Sequence, residues 1–123
     1  MPIKIEFHSA PDFMWVTWSG EITEQEVIEA GDRMENHPDF RANLNRINDF
    51  RQASFKLPPD ALRRVANAWD EKDHVHGVRK TAMIVDDELS STMLKMFKIL
   101  KDKDFANIIV TKDEDEAKTW VES

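Results

Sequence analysis

A chain of 123 residues with 41% hydrophobic and 33% charged side chains has the composition of one ordinary globular domain, long enough to bury about two thirds of its unfolded surface. A formal charge of −7 argues against a nucleic-acid partner, which would need clustered Lys and Arg to displace counterions, and the absence of cysteine excludes disulfide and thiolate chemistry. No apolar run approaches the ~20 residues that span a bilayer, and Met1–Glu6 lacks a signal-peptide core, so the expectation is a single domain over residues 1–123 in the cytoplasm.

Ile3 to Phe7 alternates apolar and polar residues, which predicts an edge strand. The Ser9-Ala10-Pro11-Asp12 turn leads into Phe13 to Trp18, apolar on both alternating faces and read as a central strand. So short a connection favours an antiparallel hairpin, because a parallel pair needs a long crossover. Thr23-Glu24-Gln25-Glu26 has capping-box spacing and opens a helix whose stripe is Val27, Ile28, Gly31 and Met34, stopped by His37-Pro38. Leu44 to Phe50 reads as a weaker strand, its outward positions carrying Asn, Arg and Asn.

Leu57-Pro58-Pro59-Asp60 starts a second helix with Leu62, Val65, Ala66 and Trp69 on its buried stripe, followed by a polar loop from Asp70 to Gly77. Thr81 to Val85 is a short apolar run, the pattern of a buried parallel strand. A third helix follows with Leu89, Met93, Met96, Phe97 and Leu100 on one side, then a strand at Ile108-Ile109-Val110. The closing helix is anchored by Ala117, Trp120 and Val121 behind an acidic first turn, as the helix dipole favours. The order ββαβαβαβα implies an α/β fold with a mixed, mostly parallel five-stranded sheet and four main helices.

Three blocks resemble a known family. They are His37-Pro38-Asp39-Phe40-Arg41 leading to Ile47-Asn48-Asp49-Phe50-Arg51, then Lys80 to Val85 leading to Leu89 to Phe97, and finally Ile109-Val110 followed by Glu116-Ala117-Lys118-Thr119-Trp120-Val121. In order and spacing, over nearly the whole chain, they are similar to the SpoIIAA-like (STAS-like) family of small bacterial proteins. This chain carries Thr92 and Lys95 where the family pattern has Gly and Arg. The resemblance implies the SpoIIAA/STAS-like fold and a regulatory or protein-interaction module without chemistry, acting through a partner protein or as a homodimer. Similarity in fold to lipid-carrying CRAL-TRIO domains implies the alternative, a carrier or sensor of a small apolar ligand. Asp49-Phe50-Arg51-Gln52-Ala53-Ser54 does not match the Asp-Ser-Ser type of motif at which regulatory STAS proteins are phosphorylated, so a literal sigma-factor switch is not implied.

The chemistry-bearing residues are sparse. Ser90 and Ser91, in the first turn of the third helix, are the candidates for a phospho-switch, set against Asp87 as an ordinary N-cap with neighbouring acids that repel phosphate. Asp49, Asp86 and Asp87 fall at strand ends, where a metal or phosphoacceptor site with Lys112 competes with caps and solvated acids as the reading. His74 and His76 read as loop residues, because a zinc site needs three or four ligands. No nucleophile elbow and no glycine-rich phosphate loop is present, so no catalytic residue, cofactor or metal is expected. Four Trp and seven Phe are more rings than a small core needs. Phe50, Phe55, Trp69, Met93, Met96 and Phe97 are therefore the candidates to line an apolar cavity or patch between sheet and helices.

Overall fold

The computed structural model describes residues 3–77 and 79–123, apart from the side chains of Asp102 and Phe105. Strands β1 (Ile3–His8) and β2 (Phe13–Glu21) form the antiparallel hairpin, followed by α1 (Glu24–Glu35), β3 (Arg46–Ser54), α2 (Pro59–His76), β4 (Thr81–Ile84) and α3 (Glu88–Leu100). A 3-10 helix (Asp102–Asn107), β5 (Ile108–Thr111) and α4 (Glu114–Glu122) complete the chain. The sheet runs β1-β2-β3-β4-β5, with β2 to β5 mutually parallel. Strands added always on the same side through right-handed crossovers place every crossover helix on one face. Accordingly α1, α2 and α3 share one core with that face of the sheet, and α4 closes the other.

Period-two alternation divides each strand between the two cores. Met14, Val16, Trp18, Phe50, Met83 and Ile108 face the three helices, while Phe13, Ile47, Ala82 and Ile84 face Ala117 and Val121 of α4. The first helix begins as its capping box predicts: Thr23 Oγ1 accepts from the Glu26 N–H, and Glu26 Oε1 accepts from the Thr23 N–H.

Four details depart from the sequence reading. Strand β3 starts at Arg46 and continues to Ser54, and Arg46 and Asn48, read as outward, are buried on the helix side of the sheet. They share parity with Phe50, so the alternation that buries Phe50 carries both inward. The segment from Asp70 to His76 is helix, because Asp70, Asp73 and His76 are tied into the interior by the contacts described below. Gly77 ends α2 at φ +76 and ψ −172, a conformation that is essentially glycine's alone. Finally, α3 is rotated from the predicted stripe: Ser90, Ser91, Leu94 and Phe97 are buried, while Leu89 and Met96 are exposed.

Candidate functional site

Between the sheet and the inner faces of α1, α2 and α3 lies a cavity of about 60 Å³, measured as the space open to the centre of a water molecule. An engineered cavity of ~150 Å³ that holds benzene sets the scale, and the space here is less than half of that. Strands supply the floor. Arg46, Asn48 and Phe50 line it from β3, Thr81 and Met83 from β4, and Trp18 and Ile108 from β2 and β5. Val27 and Met34 of α1, Trp69 of α2, and Leu94 and Phe97 of α3 form the roof.

One end is aromatic. Trp18 stacks on Phe50 with ring centres 5.3 Å apart, and Phe50 meets Phe55 edge-on at 5.4 Å. At this end Trp18 Nε1 donates to Asn48 Oδ1 at 3.1 Å.

The other end is charged, and the strand register explains its position. Arg46, Thr81 and Ile108 lie in one row across β3, β4 and β5, at the amino ends of these parallel strands. Arg79, immediately before β4, and Lys101 and Asp104, just after α3, also line the cavity here. Lys101 is 2% exposed, and its Nζ lies 2.7 Å from Asp70 and 3.0 Å from both Asp73 and Asp104. These three carboxylates converge as if on a metal ion, but the ammonium already supplies the cation. Burial raises the Asp73 pKa, and the neighbouring Asp104 raises it further against the pull of Lys101. Arg79 Nη1 stands 3.5 Å from Asp73 Oδ1 and donates to the Gly77 carbonyl at 2.8 Å.

Arg46 is different. It is 2% exposed, and among the described residues no carboxylate lies within 4.0 Å of it; its guanidinium donates to His76 Nδ1 at 2.8 Å and to Met34 Sδ at 3.1 Å. A guanidinium only donates, so Nδ1 is the acceptor nitrogen of a neutral imidazole whose proton sits on Nε2. Burial first, then the Arg46 charge, pushes the His76 pKa down to about 3. Phe40 and Trp69 meet the His76 ring edge-on at 5.0 and 5.1 Å. Burial and the Arg79 charge push the Arg46 pKa down well below its usual value. The Nε atoms of both Arg46 and Arg79 are cut off from solvent without a hydrogen-bond partner.

Of the six apolar candidates, Phe50, Phe55, Trp69 and Phe97 line this cavity together. Met93 packs at the margin of the main core and Met96 lies on the solvent side of α3. The charged half of the wall escaped the sequence reading, although the shared parity of Arg46, Asn48 and Phe50 was the available signal. Ser90 is wholly buried, accepting the Phe55 N–H through Oγ at 3.3 Å, and its own N–H goes to the Asp87 carboxylate at 3.0 Å. A phosphate on Ser90 therefore requires the first turn of α3 to open. Asp87 is the N-cap of α3, Asp86 is exposed, and Asp49 lies on the opposite face of the sheet, where Arg51 bridges it to Glu114 of α4. The three acids do not converge on one another.

No protein-family model and no curated protein matches this chain. Among solved structures it is similar to an uncharacterised DUF3478-family protein from Shewanella loihica PV-4, itself described as SpoIIAA-like in fold. The two share 14% sequence identity at a TM-score of 0.60, over 97% of this chain and 91% of that one. That likeness is one of fold: the chain has a SpoIIAA-like fold, with the mixed five-stranded sheet and four helices expected of it. Among the described residues no helix is long and apolar enough to cross a membrane.

Proposed function

We propose that this SpoIIAA-like chain is a non-enzymatic binding module that holds a small apolar ligand between its sheet and its helices. One observation carries the reading: Trp18, Phe50, Phe55 and Phe97 border open space between the sheet and the three helices. Pockets of this kind, mainly apolar with a few polar groups fixing orientation, are where small molecules bind. Binding without chemistry fits the wall, whose hydroxyl, Thr81, has no histidine beside it among the lining residues.

Titration with benzene and equilibration under xenon, each followed by ¹H–¹⁵N NMR, test the proposal. The indole N–H signals of Trp18 and Trp69 should shift saturably, and both probes leaving these signals unmoved would refute it.

A second reading is favoured by a separate observation. The outer side of α3 presents Leu89, Met96 and Ile99, with Ile99 62% exposed. At spacings of seven and three these residues form one stripe, which suits a partner protein or a second copy of the chain. Sedimentation over a hundredfold concentration range tests the self-association arm: a weight that rises with concentration and is abolished by Ile99→Glu supports it, and a constant monomer removes it.

A further inference from the structure

From the cleft at the free edge of the sheet we infer a docking site for an extended segment of another protein. That segment adds to β5 as a sixth strand, with acidic side chains toward α3 and basic side chains toward α4. This surface is separate from the cavity, and its occupant does not depend on what the cavity holds.

The sheet ends at β5. On the inner side of that strand the Val85 N–H donates to the Thr111 carbonyl at 2.9 Å. Main-chain groups of successive strand residues point to opposite sides, so Thr111 and Ile109 turn theirs toward β4, while Ile108 and Val110 turn theirs outward. An outward row of this kind is a template for another strand. Both flanks of the edge are built up. Helix α3 stands on one face of the sheet and α4 on the other, and the cleft they share has a volume of about 730 Å³. Ile109 and Val110 form its floor, with Ile99 and Trp120 on its sides.

The two walls differ in the sign of their charge. Among the residues lining the cleft, α3 contributes Lys95 and Lys98 and no acid, whereas α4 contributes Asp115 and Glu116 and no base. Side chains of an added strand alternate between the faces of the sheet, so every second one meets the lysines and the others meet the carboxylates. A segment that alternates Glu or Asp with Lys or Arg therefore satisfies both walls at once. A second copy of the chain does not. Two β5 edges pair antiparallel about a two-fold axis perpendicular to the sheet, which sets each α3 against its counterpart and each α4 likewise, lysine facing lysine and carboxylate facing carboxylate. Lys112, which shares parity with Val110 and pairs with Glu88 at the start of α3, adds a further positive charge on the α3 side. The charges thus select a different protein as the occupant.

The test uses the full ¹⁵N-labelled chain and two capped hexapeptides of one composition. In Thr-Glu-Arg-Glu-Arg-Thr the charges alternate; in Thr-Glu-Glu-Arg-Arg-Thr each face of the strand carries one acid and one base. Titration at pH 7 is followed by ¹H–¹⁵N NMR. The alternating peptide should move the Ile108 and Val110 amides and the Trp120 indole signal saturably. It should bind about fivefold or more tightly than the control, the increment expected when two exposed pairs change from repulsion to attraction. Lys95→Glu should weaken the alternating peptide about threefold. Val110→Pro removes an outward N–H that β4 does not use and should weaken it about three- to tenfold, with the β3 and β4 amides unmoved to show the sheet intact. Equal affinity of the two peptides, a loss in neither variant, or binding of neither peptide at millimolar concentration overturns the assignment. Shifts of the same amides on raising the protein concentration without peptide overturn it in favour of a second copy. Peptide shifts confined to Leu89 and Met96 overturn it by placing the contact on the outer side of α3.

Discussion

Replacing Lys101 by Met removes the cation from a site where three carboxylates meet. In the native chain the ammonium joins the end of α3 to Asp70 and Asp73 of α2 and to Asp104 of the 3-10 helix. Breaking a buried pair from one side costs about 3–5 kcal/mol, because the opposite charges stay behind uncompensated. The acids here keep 27% to 40% of their side-chain surface exposed, so water screens part of that repulsion and brings the expected cost down to about 2–4 kcal/mol. For a chain of 123 residues this corresponds to a midpoint lowered by roughly 8–15 °C. Urea unfolding at pH 7, followed by far-ultraviolet circular dichroism, measures the free energy directly. The deficit should shrink as pH falls toward about 4, where carboxylates take up protons and cease to repel one another. A loss under about 1 kcal/mol at pH 7, or a deficit that grows on acidification, refutes the reasoning.

The neutral, buried His76 adds an acid sensitivity of its own. It ionises near 6.5 when unfolded and at about 3 when folded. Below 6.5 the unfolded state therefore holds more protons, and stability falls with pH toward a ceiling of about 5 kcal/mol lost by pH 3. His76→Asn should lack this slope, so urea unfolding at pH 7 and pH 5 should show the gap between wild type and variant narrowing by about 2 kcal/mol. Gly77→Ala should destabilise by about 1–3 kcal/mol, because the residue sits at φ +76 and an added Cβ would come within 2.9 Å of the Asn43 backbone nitrogen; an unchanged thermal midpoint would contradict this. Thr23→Ala removes the hydroxyl that accepts the Glu26 N–H at the start of α1, leaving Glu26 Oε1 on the backbone N–H of residue 23, and should cost about 1 kcal/mol in the same unfolding assay.

What the sequence revealed and what it concealed follow from how each residue is held. The hairpin, β4 and the α1 cap were legible because alternation, an unbroken apolar run and a Thr-x-x-Glu spacing are local signals. The last two turns of α2 were not, since Asp70, Asp73 and His76 look like loop residues until Lys101 and Arg46 are placed against them. The face of α3 was misread for a related reason. Its buried row runs Ser90, Leu94, Phe97 and Lys101, and both ends of that row are polar residues that hydrophobic periodicity assigns to solvent. The same asymmetry divides the cavity. Its aromatic half was visible as a surplus of rings, which named Phe50, Phe55, Trp69 and Phe97. Its charged half was hidden, because Arg and Lys are almost never fully buried unless something pairs them. Arg46 and Lys101 become candidates for burial only when strand parity and helix phase are followed without regard to residue type.

The cavity between sheet and helices is the central claim, and isotope-filtered NMR on ¹³C,¹⁵N-labelled protein with unlabelled benzene tests it most directly. Intermolecular Overhauser contacts from benzene to ring protons of Trp18, Phe50 and Phe97 are the result the account predicts. Contacts confined to Leu89, Met96 and Ile99 on the outer side of α3 would contradict it, placing the apolar site on the surface.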